Sequence, residues 1–95
     1  MSKKRKLHQL LGTIKYCWLG TSKSRTYKNQ PFYCLDILQQ TLLETKKETL
    51  YAFSNLVTKD LWNTLEQQTF KGKTYYFWCE KRVRGWRLKE WEEIN

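Results

Sequence analysis

The chain has 95 residues, a formal net charge of +9 and a pI near 9.6, with 40% hydrophobic and 16% aromatic residues. That length gives one small domain, and that apolar content supports a packed core rather than a disordered chain. No apolar run reaches the 18 residues of a membrane span, and no apolar region follows the charged N-terminus as in a secretory signal.

Charge is unevenly placed along the chain. Residues 1–28 carry a net +8, residues 29–70 a net −2, residues 71–89 a net +6 and the last six a net −3. A field of this sign selects polyanions, nucleic acid first and anionic membrane surface second. If folding joins the two basic segments, one face of the molecule becomes strongly cationic.

Residues 1–6, including Lys3-Lys4-Arg5-Lys6, form a flexible basic arm ahead of a domain over 7–95. The arm suits either phosphate contact or a nuclear localisation signal. Residues 7–19 read as a first strand, with Gly12 marking a bulge or bend. Residues 20–30 form a turn-rich loop with three cations and a tyrosine. A second strand follows over 31–38, in which Tyr33, Leu35 and Ile37 face inward while Phe32 and Cys34 face outward. Residues 39–47 read as a loop or strand extension, and 48–54 as a third strand.

Residues 58–67 form the one helix, with Thr58 as N-cap, Asp60 in the first turn and an apolar stripe of Leu61, Trp62 and Leu65. Trp62 is read as the plug of a barrel end rather than a ligand contact. A turn at Lys71-Gly72-Lys73 opens a fourth strand over 74–81. A basic turn over 82–85 then leads to a fifth strand over 86–91. The fold class is therefore all-β with one helix, in the order β-β-β-α-β-β. That is the order of the five-stranded, partly open OB-fold barrel, whose ligand lies over strands two and three between the 1–2 and 4–5 loops.

Single-strand binders need cations for phosphates and flat rings for bases. Strand four is aromatic on both sides: Tyr75, Phe77 and Cys79 read as its inner face, Tyr76 and Trp78 as its outer face. In strand five Leu88 points inward, so strict alternation sends Arg87, Lys89 and Trp91 outward and leaves Glu90 awkwardly on the inner side unless a bulge intervenes. The expected stacking platform is Phe32, Tyr76 and Trp78 with Tyr27 and Trp86. The expected phosphate contacts are Lys23, Arg25, Lys28, Lys73, Lys81, Arg82, Arg84 and Arg87. Cys17, Cys34 and Cys79 lack a disulfide or zinc spacing and suit buried positions in a reducing, intracellular compartment. No nucleophile–base pair, paired carboxylates or phosphate-binding glycine loop argues for an enzyme, and no cofactor or metal is expected.

The run Tyr27-Lys28-Asn29-Gln30-Pro31-Phe32-Tyr33-Cys34-Leu35-Asp36-Ile37 resembles the second strand of small single-stranded DNA-binding OB domains. So do Gly72-Lys73-Thr74-Tyr75-Tyr76-Phe77-Trp78-Cys79 and Leu88-Lys89-Glu90-Trp91. The chain is similar to the short single-strand-binding-like proteins of algal plastids and cyanobacteria, related to bacterial single-strand-binding protein and primosomal protein PriB. The resemblance implies single-stranded DNA ahead of RNA as partner, a homo-oligomer, a plastid or bacterial-type compartment, and base stacking at Tyr76 and Trp78. The C-terminal Glu92-Glu93-Ile94-Asn95 lacks the linker and acidic tail of the bacterial proteins, which favours an accessory, PriB-like role. An RNA-binding small barrel and a protein-interaction barrel remain the alternatives.

Overall fold

The computed structural model describes residues 7–21 and 30–94. Its elements are β1 (His8–Thr21), β2 (Pro31–Gln40), β3 (Thr45–Phe53), α1 (Lys59–Gln67), β4 (Thr74–Arg82) and β5 (Gly85–Ile94). The strands close into a barrel in the order β1-β2-β3-β5-β4, with β1 also paired to β4. This is the expected β-β-β-α-β-β order and OB-like barrel, fully closed rather than partly open.

Alternation builds the core. Leu35 and Ile37 of β2, Leu50 and Ala52 of β3, Phe77 and Cys79 of β4 and Leu88 of β5 have no exposed surface. Thr58 caps α1 by accepting the Leu61 N–H at 3.2 Å, and Gln68 ends it in the left-handed region at φ 55°. Leu61 and Leu65 then enter the core, while the Trp62 ring packs 4.8 Å from Tyr33. The helix thus covers one barrel end, as its apolar stripe predicts.

The segment read as loop or extension resolves into both. β2 runs on to Gln40, β3 starts at Thr45, and between them the Thr41 backbone N–H donates to the Glu44 carbonyl at 2.9 Å. The expected irregularity of β1 lies three residues beyond Gly12. Ile14 pairs with Ile37 and Tyr16 with Asp36, which leaves Lys15 as the extra residue of a bulge. Gly12 itself pairs with both Gln39 and Tyr75, and a Cβ there would strike the Leu38 carbonyl oxygen.

A second bulge corrects the reading of β5. Trp78 pairs with Glu90 and Cys79 with Leu88, so Lys89 is the extra residue. The phase of the strand flips there: Glu90 turns outward and Trp91 turns inward. The Trp91 ring stacks on Tyr75 at 4.2 Å and 15°, as part of the core margin rather than the outer surface.

Phe77→Ala should therefore cost about 3–5 kcal/mol of stability, whereas its outward neighbour Tyr76→Ala should cost under about 1 kcal/mol. Urea unfolding midpoints of the two variants test this assignment of faces.

Candidate nucleic-acid interface

The outer face of β1, β2 and β3 carries the richest set of exposed rings. Cross-strand pairing sets them in rows: Gly20–Phe32–Phe53, then Trp18–Cys34–Tyr51, then Tyr16–Asp36–Thr49. Neighbouring rows are about 7 Å apart along a strand. Tyr16 and Trp18 are 68% and 49% exposed, so their rings are available to a ligand. They face outward because of the bulge at Lys15. Without that extra residue they would continue the inward phase of Leu10, Gly12 and Ile14.

Phe32 sits at the centre of an aromatic cluster, with ring centroids 5.9 Å from Tyr51 and 5.4 Å from Phe53, both edge-on. Its ring lies across Gly20, where a Cβ would come within 2.7 Å of it. Only glycine lets the ring lie that close to β1. Phe32, Tyr51 and Phe53 form one wall of a groove whose other wall is Arg82, Arg84 and Arg87.

The arginines arrive from the end of β4 (Arg82), the β4–β5 turn (Arg84) and β5 (Arg87). Arg87 pairs with Tyr51 across the short parallel contact of β3 with β5, and its guanidinium lies 5.7 Å from the Phe53 ring centroid. It also meets Glu80 at 3.7 Å. Pro31 and Thr21, the described ends of the β1–β2 connection, pair beside Phe32. The groove thus lies beside the β4–β5 turn, and the described ends of the β1–β2 connection flank Phe32.

Of the expected site residues, Phe32, Arg82, Arg84 and Arg87 meet in this groove. Lys23, Arg25, Tyr27 and Lys28, like the arm over 1–6, lie outside the described residues. Tyr76 and Trp78 do face outward, 6.1 Å apart, but on β4, which β1 and β5 separate from β2 and β3. Their cross-strand partners include Glu92 and Glu90, so that wall is acidic. The expected single platform is therefore split between two walls of the barrel.

Trp86 is placed elsewhere too. It packs against the core at the barrel end away from α1, and its indole N–H donates to Glu48 Oε1 at 2.9 Å. His8 meets the ring edge-on at 5.1 Å and the Lys81 ammonium sits 4.6 Å from its centroid. Trp86 thus closes an end, and Lys81 covers it. Lys73 pairs with Glu93 at 3.5 Å, near the start of β4. Cross-strand charge and the inward phase of Trp86 draw these residues away from the groove.

Tyr16, Trp18, Tyr51 and Phe53 are absent from the sequence-based set. For Tyr51 and Phe53 the signal was present, since both alternate with the apolar Leu50 and Ala52. For Tyr16 and Trp18 it was not, because their direction depends on the bulge.

The three cysteines are free thiols. Burial pushes Cys34, in the middle row of the outer face, up to about 11, with the Asp36 carboxylate adding to the rise and a Tyr51 hydrogen bond opposing it. Burial pushes Cys79 up to about 12, and pushes Cys17 to about 12 with a further contribution from Cys34. None has the lowered pKa of a reactive thiolate. Among the described residues no group of His, Cys, Asp and Glu is arranged to hold a metal ion. No described helix is long and apolar enough to cross a membrane.

No protein-family model, curated protein or solved structure matches the chain. The OB-like barrel topology is therefore what places the chain in a class of fold.

The thiols have a consequence for stability. Above their ordinary value of 9.0 they ionise in the unfolded chain while the folded state keeps its protons. The unfolded state then binds fewer protons, so stability is fully present below pH 9 and is lost as pH rises toward 12. Thermal melts at stepped pH should show this fall. Thiol labelling at pH 8 should be slow for Cys79 until denaturant is added.

Proposed function

We propose that this protein binds single-stranded nucleic acid, DNA ahead of RNA, over the outer face of β1, β2 and β3. The observation that carries this reading is the convergence of Phe32, Tyr51 and Phe53 with Arg82, Arg84 and Arg87 at one groove, with Trp18 in the same cross-strand row as Tyr51 on that face. Unpaired bases present π-faces to the rings, and the guanidinium groups meet the phosphates. A duplex offers no exposed base faces, so half of this chemistry would go unused on it. The preference for DNA rests on the resemblance to single-strand-binding-like proteins. Aromatic stacking tolerates any base, which suits a role in DNA metabolism in which many sequences are met.

Titration with a single-stranded oligonucleotide should quench tryptophan fluorescence, and Trp18→Phe should remove most of the quench. Tyr51→Ala should weaken binding by about 1–3 kcal/mol, and affinity should fall linearly with the logarithm of salt. Arg84→Ala should make that slope shallower. Equal affinity for duplex and single strand would overturn the reading, as would quenching that is undiminished in Trp18→Phe.

A second reading attaches to the other wall. Tyr76 and Trp78 with Glu90 and Glu92 form an aromatic, acidic surface suited to protein contact, such as a homo-oligomer interface. Gel filtration should then show an assembly that Trp78→Ala weakens while oligonucleotide binding is kept.

A further inference from the structure

Resting on the nucleic-acid reading, we propose that Asp36 gives the face a base preference, accepting a hydrogen bond from an amino-bearing base and discriminating against thymine and uracil. A carboxylate is out of place on a surface meant for phosphates, because it repels them. Asp36 nevertheless lies on the outer face of β2, in direct cross-strand register with Tyr16 on one side and Thr49 on the other. Glu80, on the outer face of β4, is by contrast met by the groove residue Arg87 at 3.7 Å.

The setting of Asp36 is that of a reader. It lines a recess with Lys15, Tyr16, Leu38 and Lys47, on the same face as the groove and two rows from Phe32. Tyr16 offers a largely exposed ring on which a base can lie. The two lysines supply cations for the phosphates on either side of that base. The Thr49 hydroxyl donates to Asp36 Oδ1 at 3.2 Å, which steadies the carboxylate and uses one of its roughly four acceptor sites. The bulge at Lys15 brings Tyr16 into this position, as bulges commonly re-aim a side chain.

A cross-strand Asp–Thr pair also has a purely structural use, but a second threonine would serve it without placing negative charge on the face. The charge makes sense if it meets a donor. Cytosine presents its N4 amine to a carboxylate, and adenine and guanine carry amino groups as well. Thymine and uracil instead present O4, a carbonyl that repels the carboxylate, and their one N–H lies between two carbonyls. The recess therefore biases binding at one base position, while stacking in the groove supplies sequence-tolerant affinity.

The test compares oligocytidine and oligothymidine deoxynucleotides of one length, at one salt concentration, by fluorescence titration of the full chain. Wild-type protein should bind the cytosine strand at least about fivefold tighter, the low end of the discrimination expected of one good amine–carboxylate contact. Asp36→Asn keeps an acceptor for Thr49 and should bring the two affinities together, chiefly by tightening thymine binding. Equal binding of both strands by wild type would overturn the base preference and leave the nucleic-acid reading intact. Binding of neither would overturn both. A preference that persists in Asp36→Asn, with an unchanged melting temperature, would also remove Asp36 from the role.

Discussion

The barrel closes through one short seam. β3 and β5 run parallel and pair only through Leu50 with Trp86 and Tyr51 with Arg87. The chain reaches that seam through Gly85, at φ 120°, where a Cβ would come within 2.8 Å of the Thr49 carbonyl. An L-residue would meet both a forbidden backbone region and a backbone oxygen that has little room to move. The two residue pairs have opposite destinations. Leu50 and Trp86 turn toward the core, and Tyr51 and Arg87 turn to the outer face, where both stay half-buried. One contact thus seals the hydrophobic interior and sets a cation beside the aromatic platform.

Closure also demands sharp coiling from a sheet of only five strands, and the two bulges supply it. Each adds one residue, Lys15 in β1 and Lys89 in β5, and each reverses the in–out phase beyond it. The bulge in β1 turns Tyr16 and Trp18 to the surface. The bulge in β5 turns Trp91 onto Tyr75 and releases Glu90 and Glu92 to the outside. The same device therefore builds the face with rings and cations at one place, and an aromatic wall lined with carboxylates at another. A chain of net charge +9 can in this way keep one acidic wall while concentrating arginines at a single groove.

The tryptophans show how position divides chemically similar residues. Trp62 lies over one barrel end against Tyr33, and Trp86 closes the other with its N–H satisfied by Glu48. Trp91 stacks at the core margin, Trp78 stands on the acidic wall and Trp18 on the basic face. In so small a domain the two ends need large residues to exclude water, since few side chains are available to fill them. Only tryptophans outside that requirement are open to a ligand or partner.

Most of the fold was legible from local pattern. The helix was marked by its cap and stripe, the strands by period-two alternation, and the turns by Gly72 and Gly85. The inward sets of β2 and β4 followed directly, because those strands run without a bulge of their own. The candidate site was legible only in part. Phe32, Arg82, Arg84 and Arg87 were found, whereas Trp86, Lys81 and Lys73 were drawn to contacts with Glu48, Trp86 and Glu93 that lie far off in sequence or across a strand. By itself the sequence determined the barrel class, the element order and the polyanion-seeking charge, since each depends on near neighbours or on totals. Tertiary structure alone decided that the rings and arginines meet on the β1–β2–β3 face rather than beside Tyr76 and Trp78. A one-residue bulge is placed by partner strands and by closure, and it reverses every side chain beyond it.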